Sequence, residues 1–227
     1  MILIKKNRSL GVLVGALILL MIPTGLLARF MANGSGGGYV EGDKDSSGKA
    51  GFQCLVNPIE RYVIEGAAYY LDAYSDVLAF LNRVEGSDLK AMDYEEAQQV
   101  LDRALGNMNN AAKAYYHLIR RAESTPYNET VISKLMDFDY TGFMQEWGLN
   151  SGVFKKVEEH LQTGNITGIY KQIYTEFTTI TGELYSMREE LSANKLPQLS
   201  DCWRLNECCS RTLLFGQYVS RVFYAIR

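Results

Sequence analysis

Four stretches of the sequence carry apolar or small side chains at alternating spacings of four and three residues. This heptad pattern is typical of helices that bury one face against neighbouring helices. All four stretches keep the pattern without a slip, so we predict an all-α fold organised as a four-helix bundle. The predicted inward faces are Val63, Ala67, Tyr70, Tyr74, Val77, Leu81 and Val84; Ala97, Leu101, Ala104, Met108, Ala111, Tyr115, Leu118 and Ala122; Ile166, Tyr170, Ile173, Phe177, Ile180, Leu184, Met187 and Leu191; and Leu205, Cys208, Thr212, Phe215, Val219, Val222 and Ile226.

Local signals set the bounds of these helices. Pro58 after Asn57 is typical of a first helical position, Asn165 of an N-cap, and Pro197 of a helix stop. Gly106 either weakens the second helix by about 1 kcal/mol relative to alanine or permits close packing against a neighbour. The predicted helices are 58–85, 94–122, 166–192, and a fourth that begins between 200 and 206 and continues to residue 227.

The stretch Thr125–Gly164 interrupts the heptad pattern. We predict a short amphipathic helix that carries Val131 and Leu135, and another that Ser151 caps. The intervening residues 137–150 show no clear periodicity and are predicted to be irregular.

The four cysteines bear on how the helices are connected. Cys54 precedes the first helix, and three cysteines lie at the start of the fourth: Cys202, Cys208 and Cys209. In an up-down-up-down bundle these points are a helix length of about 40 Å apart, whereas a disulfide needs Cα atoms within about 7 Å. We therefore hypothesise that 125–164 is a long helical crossover, which makes the third helix parallel to the second and lets Cys54 bond one of the three.

A second disulfide has a further requirement. Within one continuous helix, the six or seven residues between Cys202 and the Cys208–Cys209 pair rise about 9–10 Å. Cys202 must therefore lie in the loop before the helix if it bonds either of them. The alternative is that one or more of the thiols stay reduced.

An uncharged apolar run covers residues 10–28 and follows Lys5, Lys6 and Arg8. Its 19 residues match either a membrane anchor or a signal peptide in which residues 10–22 form the apolar core. The basic residues on its N-terminal side predict that the remainder is extracytoplasmic. We expect a domain that is membrane-anchored, or secreted or periplasmic if the segment is cleaved. The predicted organisation is an anchor or signal segment at 1–30, a Gly/Ser-rich flexible linker at 31–53 and a helical domain at 54–227.

Charge limits the partners of the exported part. The first 29 residues hold four of the 23 basic residues and none of the 26 acidic ones, so the remainder carries a net charge of −7. Nucleic acid and anionic membrane surfaces are poor partners for such a chain. An oxidising compartment also favours disulfides over metal–thiolate sites for the cysteines.

Motifs of enzymes and cofactor proteins are missing from the sequence. It contains no Cys-x-x-Cys-His haem motif, no Glu-x-x-His pair on the long helices, no phosphate-binding loop and no nucleophile elbow. We therefore expect no enzymatic activity, no metal site and no cofactor. The alternative is a non-covalent haem that His117 and a methionine from another helix ligate.

Tyrosine is the unusual residue, with 15 copies. Tyr70, Tyr74, Tyr115 and Tyr170 fall on predicted inward faces, where they either pack in the core or line an interior ligand pocket. The interpretation that the sequence favours is a non-enzymatic helical bundle tethered to a membrane that binds another protein at the membrane or cell surface, or serves as a structural component. The alternative is a ligand-binding or sensory domain that uses the four tyrosines.

Overall fold

The computed structural model of the chain describes residues 58–85, 94–125, 127–146 and 151–226. This part is all-α, with seven helices and no strand. They are α1 (Pro58–Glu85), α2 (Tyr94–Glu123), α3 (Glu129–Met136), α4 (Tyr140–Glu146), α5 (Ser151–Gln162), α6 (Ile166–Ser192) and α7 (Leu199–Ala225).

The N-terminal predictions fall outside the described residues. They concern the apolar run 10–28, the linker 31–53 and Cys54, and they stay predictions. Within the four described ranges, no helix combines the length and the apolar character needed to cross a membrane.

The predicted bounds of the long helices are confirmed for α1, α2 and α6 to within one residue. Asn165 caps α6 as expected, because its Oδ1 accepts a hydrogen bond from the N–H of Gly168 at 2.9 Å. α7 begins at Leu199, one residue before the predicted window, and Gln198 at its N-cap makes no side-chain hydrogen bond. The start of α7 therefore has no capping residue that the sequence could reveal.

The segment between α2 and α6 is more helical than predicted. Asn128 caps α3 by accepting a hydrogen bond from the N–H of Thr130, and α5 begins at Ser151 as expected. The prediction of irregular structure across 137–150 is wrong, because α4 lies within it. Asp139 accepts a hydrogen bond from the N–H of Gly142 at 2.9 Å, which satisfies a main-chain donor at the start of α4.

Ion pairs and ring contacts show the direction of each long helix relative to the next. Residues toward the C-terminal end of one helix contact residues toward the N-terminal end of the next, and residues toward its N-terminal end contact residues toward the C-terminal end of the next. This holds for α1 with α2, α2 with α6, and α6 with α7, so each pair is antiparallel. The contacts are Arg83–Glu96 and Tyr62–His117, Glu123–Lys171 and Asp102–Arg188, and Glu183–Arg204 and Glu176–Arg211.

The predicted crossover is therefore wrong, since α6 runs antiparallel to α2. The described residues between α2 and α6, which include α3, α4 and α5, do not extend along the length of the long helices. They pack at one end, beside the start of α6 and the last turns of α7, where aromatic and hydrogen-bond contacts hold them. These contacts are Tyr127–Thr167, Lys134–Ile226, Phe143–Tyr218, Phe154–Phe215 and Phe154–Tyr218.

Without the crossover, the connectivity no longer brings Cys54 to the start of α7. Tyr74, in the middle of α1, bonds to Asn206 near the start of α7. The start of α7 thus lies beside the C-terminal half of α1, and proximity to the start of α1 no longer follows from the connectivity.

The predicted inward faces form the core. Every residue of the predicted α2 and α6 faces is buried. On α1 the exceptions are Ala67 and Tyr74, and on α7 they are Val219 and Ile226, all four of which are half-buried. The heptad pattern thus predicted the buried surface of the long helices well.

A glycine that the sequence analysis did not single out sets the approach of α1 to α2. A Cβ on Gly66 would lie 2.6 Å from two ring carbons of Tyr115, which is far inside carbon–carbon contact distance. Gly106, in contrast, is exposed, and nothing lies within 4 Å of the position its Cβ would take. The suggestion that Gly106 permits close packing is therefore wrong, and Gly66 has that role.

Candidate functional site

The core between α1, α2 and α6 holds a cluster of rings around Phe177. Tyr70 stacks on Phe177 with ring centroids 5.3 Å apart, and Tyr115 meets Phe177 edge-on at 5.0 Å. Tyr170 meets Tyr115 edge-on at 6.3 Å. Three of the four predicted site tyrosines are thus brought together and buried, in the offset and edge-to-face geometries that aromatic pairs prefer.

Tyr74 lies at the edge of this cluster. Its ring is 6.2 Å from that of Tyr70, and its hydroxyl hydrogen-bonds across to α7, with Asn206 Oδ1 at 3.2 Å and Ser210 Oγ at 2.9 Å. The four tyrosines therefore contact one another, Phe177 and α7. Their use as a ligand pocket stays a prediction, and the observed packing gives them a role in the core.

The buried hydroxyls differ in their partners. Tyr70 donates a hydrogen bond to the main-chain carbonyl of Cys209, whereas the hydroxyls of Tyr170 and Tyr218 have no partner among the described residues. Burial raises the pKa of both Tyr70 and Tyr170 well above its ordinary value. Burial therefore disfavours the phenolate form of both side chains.

Three of the disulfide candidates lie within α7. Cys202, Cys208 and Cys209 are buried, and no disulfide joins these three to one another. Cys202 is in the helix and not in the preceding loop, so the geometry that a second bond required is absent. Burial raises the pKa of the Cys208 and Cys209 thiols, which disfavours the nucleophilic thiolate.

A buried ion pair joins α6 to α7. Glu176 is 8 % exposed, and its carboxylate accepts hydrogen bonds from Arg211 Nη2 at 2.7 Å and from Gln172 Nε2 at 3.0 Å. The same Arg211 nitrogen lies 3.7 Å from Cys208 Sγ. The carboxylate thus links α6 to α7 through Arg211.

The haem ligand considered at His117 lies on the surface. His117 is exposed, and its ring stacks on Tyr62 with centroids 5.6 Å apart. Across the helices that the structure describes, no three His, Cys, Asp or Glu side chains are grouped to hold a metal ion.

The outer face of α7 exposes four large apolar side chains. Leu199 is 45 % exposed, Trp203 62 %, Leu214 41 % and Tyr224 65 %. At 3.6 residues per turn these positions fall within about 80° of one another around the helix. We call these four residues the α7 stripe. The stripe is not evident in the sequence, because the same helix also carries an inward apolar face and the pattern alone does not show which apolar residues remain exposed.

A groove with a volume of about 330 Å³ lies between the outer faces of α2 and α6. We call it the α2–α6 groove, and none of the predicted site tyrosines lines it. Its lining is Asn109, Ala112, Lys113 and Tyr116 from α2, and Tyr174, Thr178 and Thr181 from α6.

Comparison with known proteins found no matching family model, no matching curated protein and no matching solved structure.

Proposed function

We propose that this chain is a non-enzymatic, extracytoplasmic four-helix bundle that is tethered to a membrane by residues 10–28 and binds another protein through the α7 stripe. If the N-terminal segment is cleaved, the same domain acts as a secreted or periplasmic binding module. The observation that carries the proposal is the exposure of Trp203, Leu214 and Tyr224 on one face of α7.

The composition of the α7 stripe favours a protein partner. Trp and Tyr dominate the energetics of protein–protein interfaces, because they bury a large area at a low cost in conformational entropy. Leu199 and Trp203 are four residues apart and therefore adjacent on the helix surface, and Leu214 follows three turns later.

The length and surroundings of the stripe favour an elongated partner. From Leu199 to Tyr224 it extends about 38 Å along α7. Gln217 is a half-buried polar residue on this face. Asn206 and Ser210 bond to the Tyr74 hydroxyl, so α1 borders the stripe between Trp203 and Leu214. A line of apolar side chains with polar residues beside it is suited to bind an amphipathic helix that lies along this face of α7. The net charge of −7 on the part after residue 29 opposes nucleic acid and anionic lipid as alternatives.

Site-specific photo-crosslinking tests this proposal. The photoreactive residue benzoylphenylalanine replaces Leu199 or Tyr224 in the full chain, expressed in its own host. The matched control places it at Tyr185 on α6, which is 49 % exposed and lies outside the stripe. We expect one adduct of defined mass from the stripe positions, identified by mass spectrometry, and its loss when Trp203→Ser and Leu214→Ser are added.

Two results would count against this assignment. Equal crosslinking from position 185 would show that the stripe has no special role. An adduct with the mass of two copies of the chain would assign the stripe to self-association instead.

A further inference from the structure

We propose that the α2–α6 groove binds a small planar aromatic carboxylate. The site is separate from the α7 stripe and from the four predicted tyrosines. It rests on the residues that line the groove, their charges and the direction of their hydrogen bonds.

Two tyrosine rings provide apolar surface in the groove. Tyr116 is half exposed, and its ring meets that of His117 edge-on at 5.8 Å, while His117 in turn stacks on Tyr62. Tyr174 is half-buried and packs against the core. Both rings thus contact neighbouring side chains, and aromatic surfaces lining a groove favour a flat aromatic ligand.

The charge of the groove favours an anion. Its lining contains no acidic residue, and no carboxylate of the described residues lies within 4.0 Å of the Lys113 ammonium. Two cations near the groove already have partners, since Lys171 pairs with Glu123 and Arg188 with Asp102. Lys113 is therefore placed to pair with a ligand carboxylate.

The threonines of the groove present hydrogen-bond acceptors. Thr178 donates its hydroxyl hydrogen to the carbonyl of Thr175, and Thr181 donates to that of Phe177, both at 2.8 Å. Because these hydrogens point back into the helix, the oxygens offer only lone pairs to a ligand. A ring N–H or O–H on the ligand matches them.

The volume limits the size of the ligand. About 330 Å³ is at the lower end of the range for small-molecule sites, roughly 300–1,000 Å³. One or two fused rings with a short acidic side chain fit this space, whereas a lipid or a steroid-sized molecule does not.

Three indole compounds with the same ring and different charge test the inference. They are indole-3-acetate, the neutral indole-3-acetamide and the cationic tryptamine. Equilibrium dialysis against the full chain in lipid nanodiscs, with empty nanodiscs as the blank, measures their binding. We expect saturable binding of one indole-3-acetate per chain, weaker binding of the amide and the weakest binding of the amine.

Variants then locate the site. Lys113→Gln should raise the dissociation constant for indole-3-acetate about tenfold and leave that for the amide unchanged. Thr178→Trp, which fills the groove, should abolish binding of both. Lys156→Gln on α5 removes an exposed lysine elsewhere, and Trp203→Ser alters the α7 stripe; neither should change the affinity. Circular dichroism checks that each variant is folded.

Three outcomes overturn the inference. One is the absence of saturable indole-3-acetate binding up to millimolar concentration. Another is equal affinity for the three compounds. The third is binding that Trp203→Ser weakens and Lys113→Gln does not, which would place the ligand on α7.

Discussion

The hydroxyl of Tyr70 on α1 donates a hydrogen bond to the main-chain carbonyl of Cys209 on α7. Tyr170 is buried to a similar degree, but its hydroxyl has no partner in the part of the chain that the structure describes. The same substitution at the two positions should therefore have opposite effects on stability.

Tyr70→Phe should lower the free energy of unfolding by about 1 kcal/mol, because it removes a buried hydrogen bond and leaves the Cys209 carbonyl without its donor. Tyr170→Phe should raise it by up to about 1 kcal/mol, because it removes a desolvated polar group. Urea unfolding at pH 7 measures both. A loss of stability in Tyr170→Phe as large as in Tyr70→Phe would show that Tyr170 is hydrogen-bonded in solution.

Ionisation of the buried tyrosines should lower the free energy of unfolding at alkaline pH. Burial raises the pKa of Tyr70, Tyr115 and Tyr170 in the folded chain, whereas tyrosine in the unfolded chain ionises near pH 10. A group with a raised folded pKa contributes stability that is fully present below the unfolded pKa and is lost as pH rises toward the folded one.

The urea midpoint should therefore begin to decline at about pH 8.5, where the Cys208 and Cys209 thiols of the unfolded chain ionise, and decline more steeply above about pH 10, where the tyrosines do. Tyr115→Phe should make that decline shallower, because one fewer buried tyrosine ionises when the chain unfolds. Tyr185→Phe, at an exposed site, is the control and should leave the slope unchanged. An identical slope in Tyr115→Phe and the parent chain would contradict the assignment.

Alanine substitutions at two glycines should change the free energy of unfolding in opposite directions. Gly66→Ala places a methyl group 2.6 Å from the Tyr115 ring and should destabilise the fold by about 1–3 kcal/mol through overpacking between α1 and α2. Gly106→Ala meets nothing within 4 Å and should stabilise it by about 0.5–1 kcal/mol, because alanine has the higher helix propensity. Thermal unfolding followed by circular dichroism distinguishes the two. A stabilising Gly66→Ala would mean that α1 and α2 lie farther apart in solution.

The Glu176–Arg211 pair should show strong coupling. Removing one partner of a buried pair leaves an uncompensated charge, which costs about 3–5 kcal/mol when burial is complete. The Arg211 side chain is 33 % exposed, so we expect Arg211→Met to cost less, about 2 kcal/mol. The double variant with Glu176→Gln should cost clearly less than the sum of the single variants. Additive losses in a double-mutant cycle would show that the pair does not interact in solution.

The sequence predicted helices and buried faces well because both depend on local spacing. The 4–3 pattern of apolar residues on α2 and α6 is the pattern of contact with neighbouring helices, and Asn165 caps α6 through its own side chain. The start of α7 was missed narrowly, since Gln198 makes no capping bond. α4 was missed because Tyr140–Glu146 is too short to show a periodicity.

Helix direction could not be predicted in this way. An inward apolar face is compatible with a parallel or an antiparallel neighbour, so the predicted crossover depended entirely on an assumed disulfide. The contacts that decide direction, such as Lys171 with Glu123 and Arg188 with Asp102, join surface residues that no spacing rule singles out. The α2–α6 groove could not be predicted for the same reason, because its lining comes from two helices whose alignment the sequence does not show.

The hydrogen bond between Tyr70 and Cys209 joins residues 139 positions apart, while the ion pairs Arg103–Asp76 and Arg204–Glu183 span 27 and 21. The α1–α2 and α6–α7 hairpins can therefore form early from local contacts, whereas closing α7 onto α1 has the largest loop-closure entropy. Folding should end with this closure, and native-state opening should begin there. The hydrogen bonds that the hydroxyls of Tyr70 and Tyr74 make to α7 thus lie at the helix contact that should form last and open first.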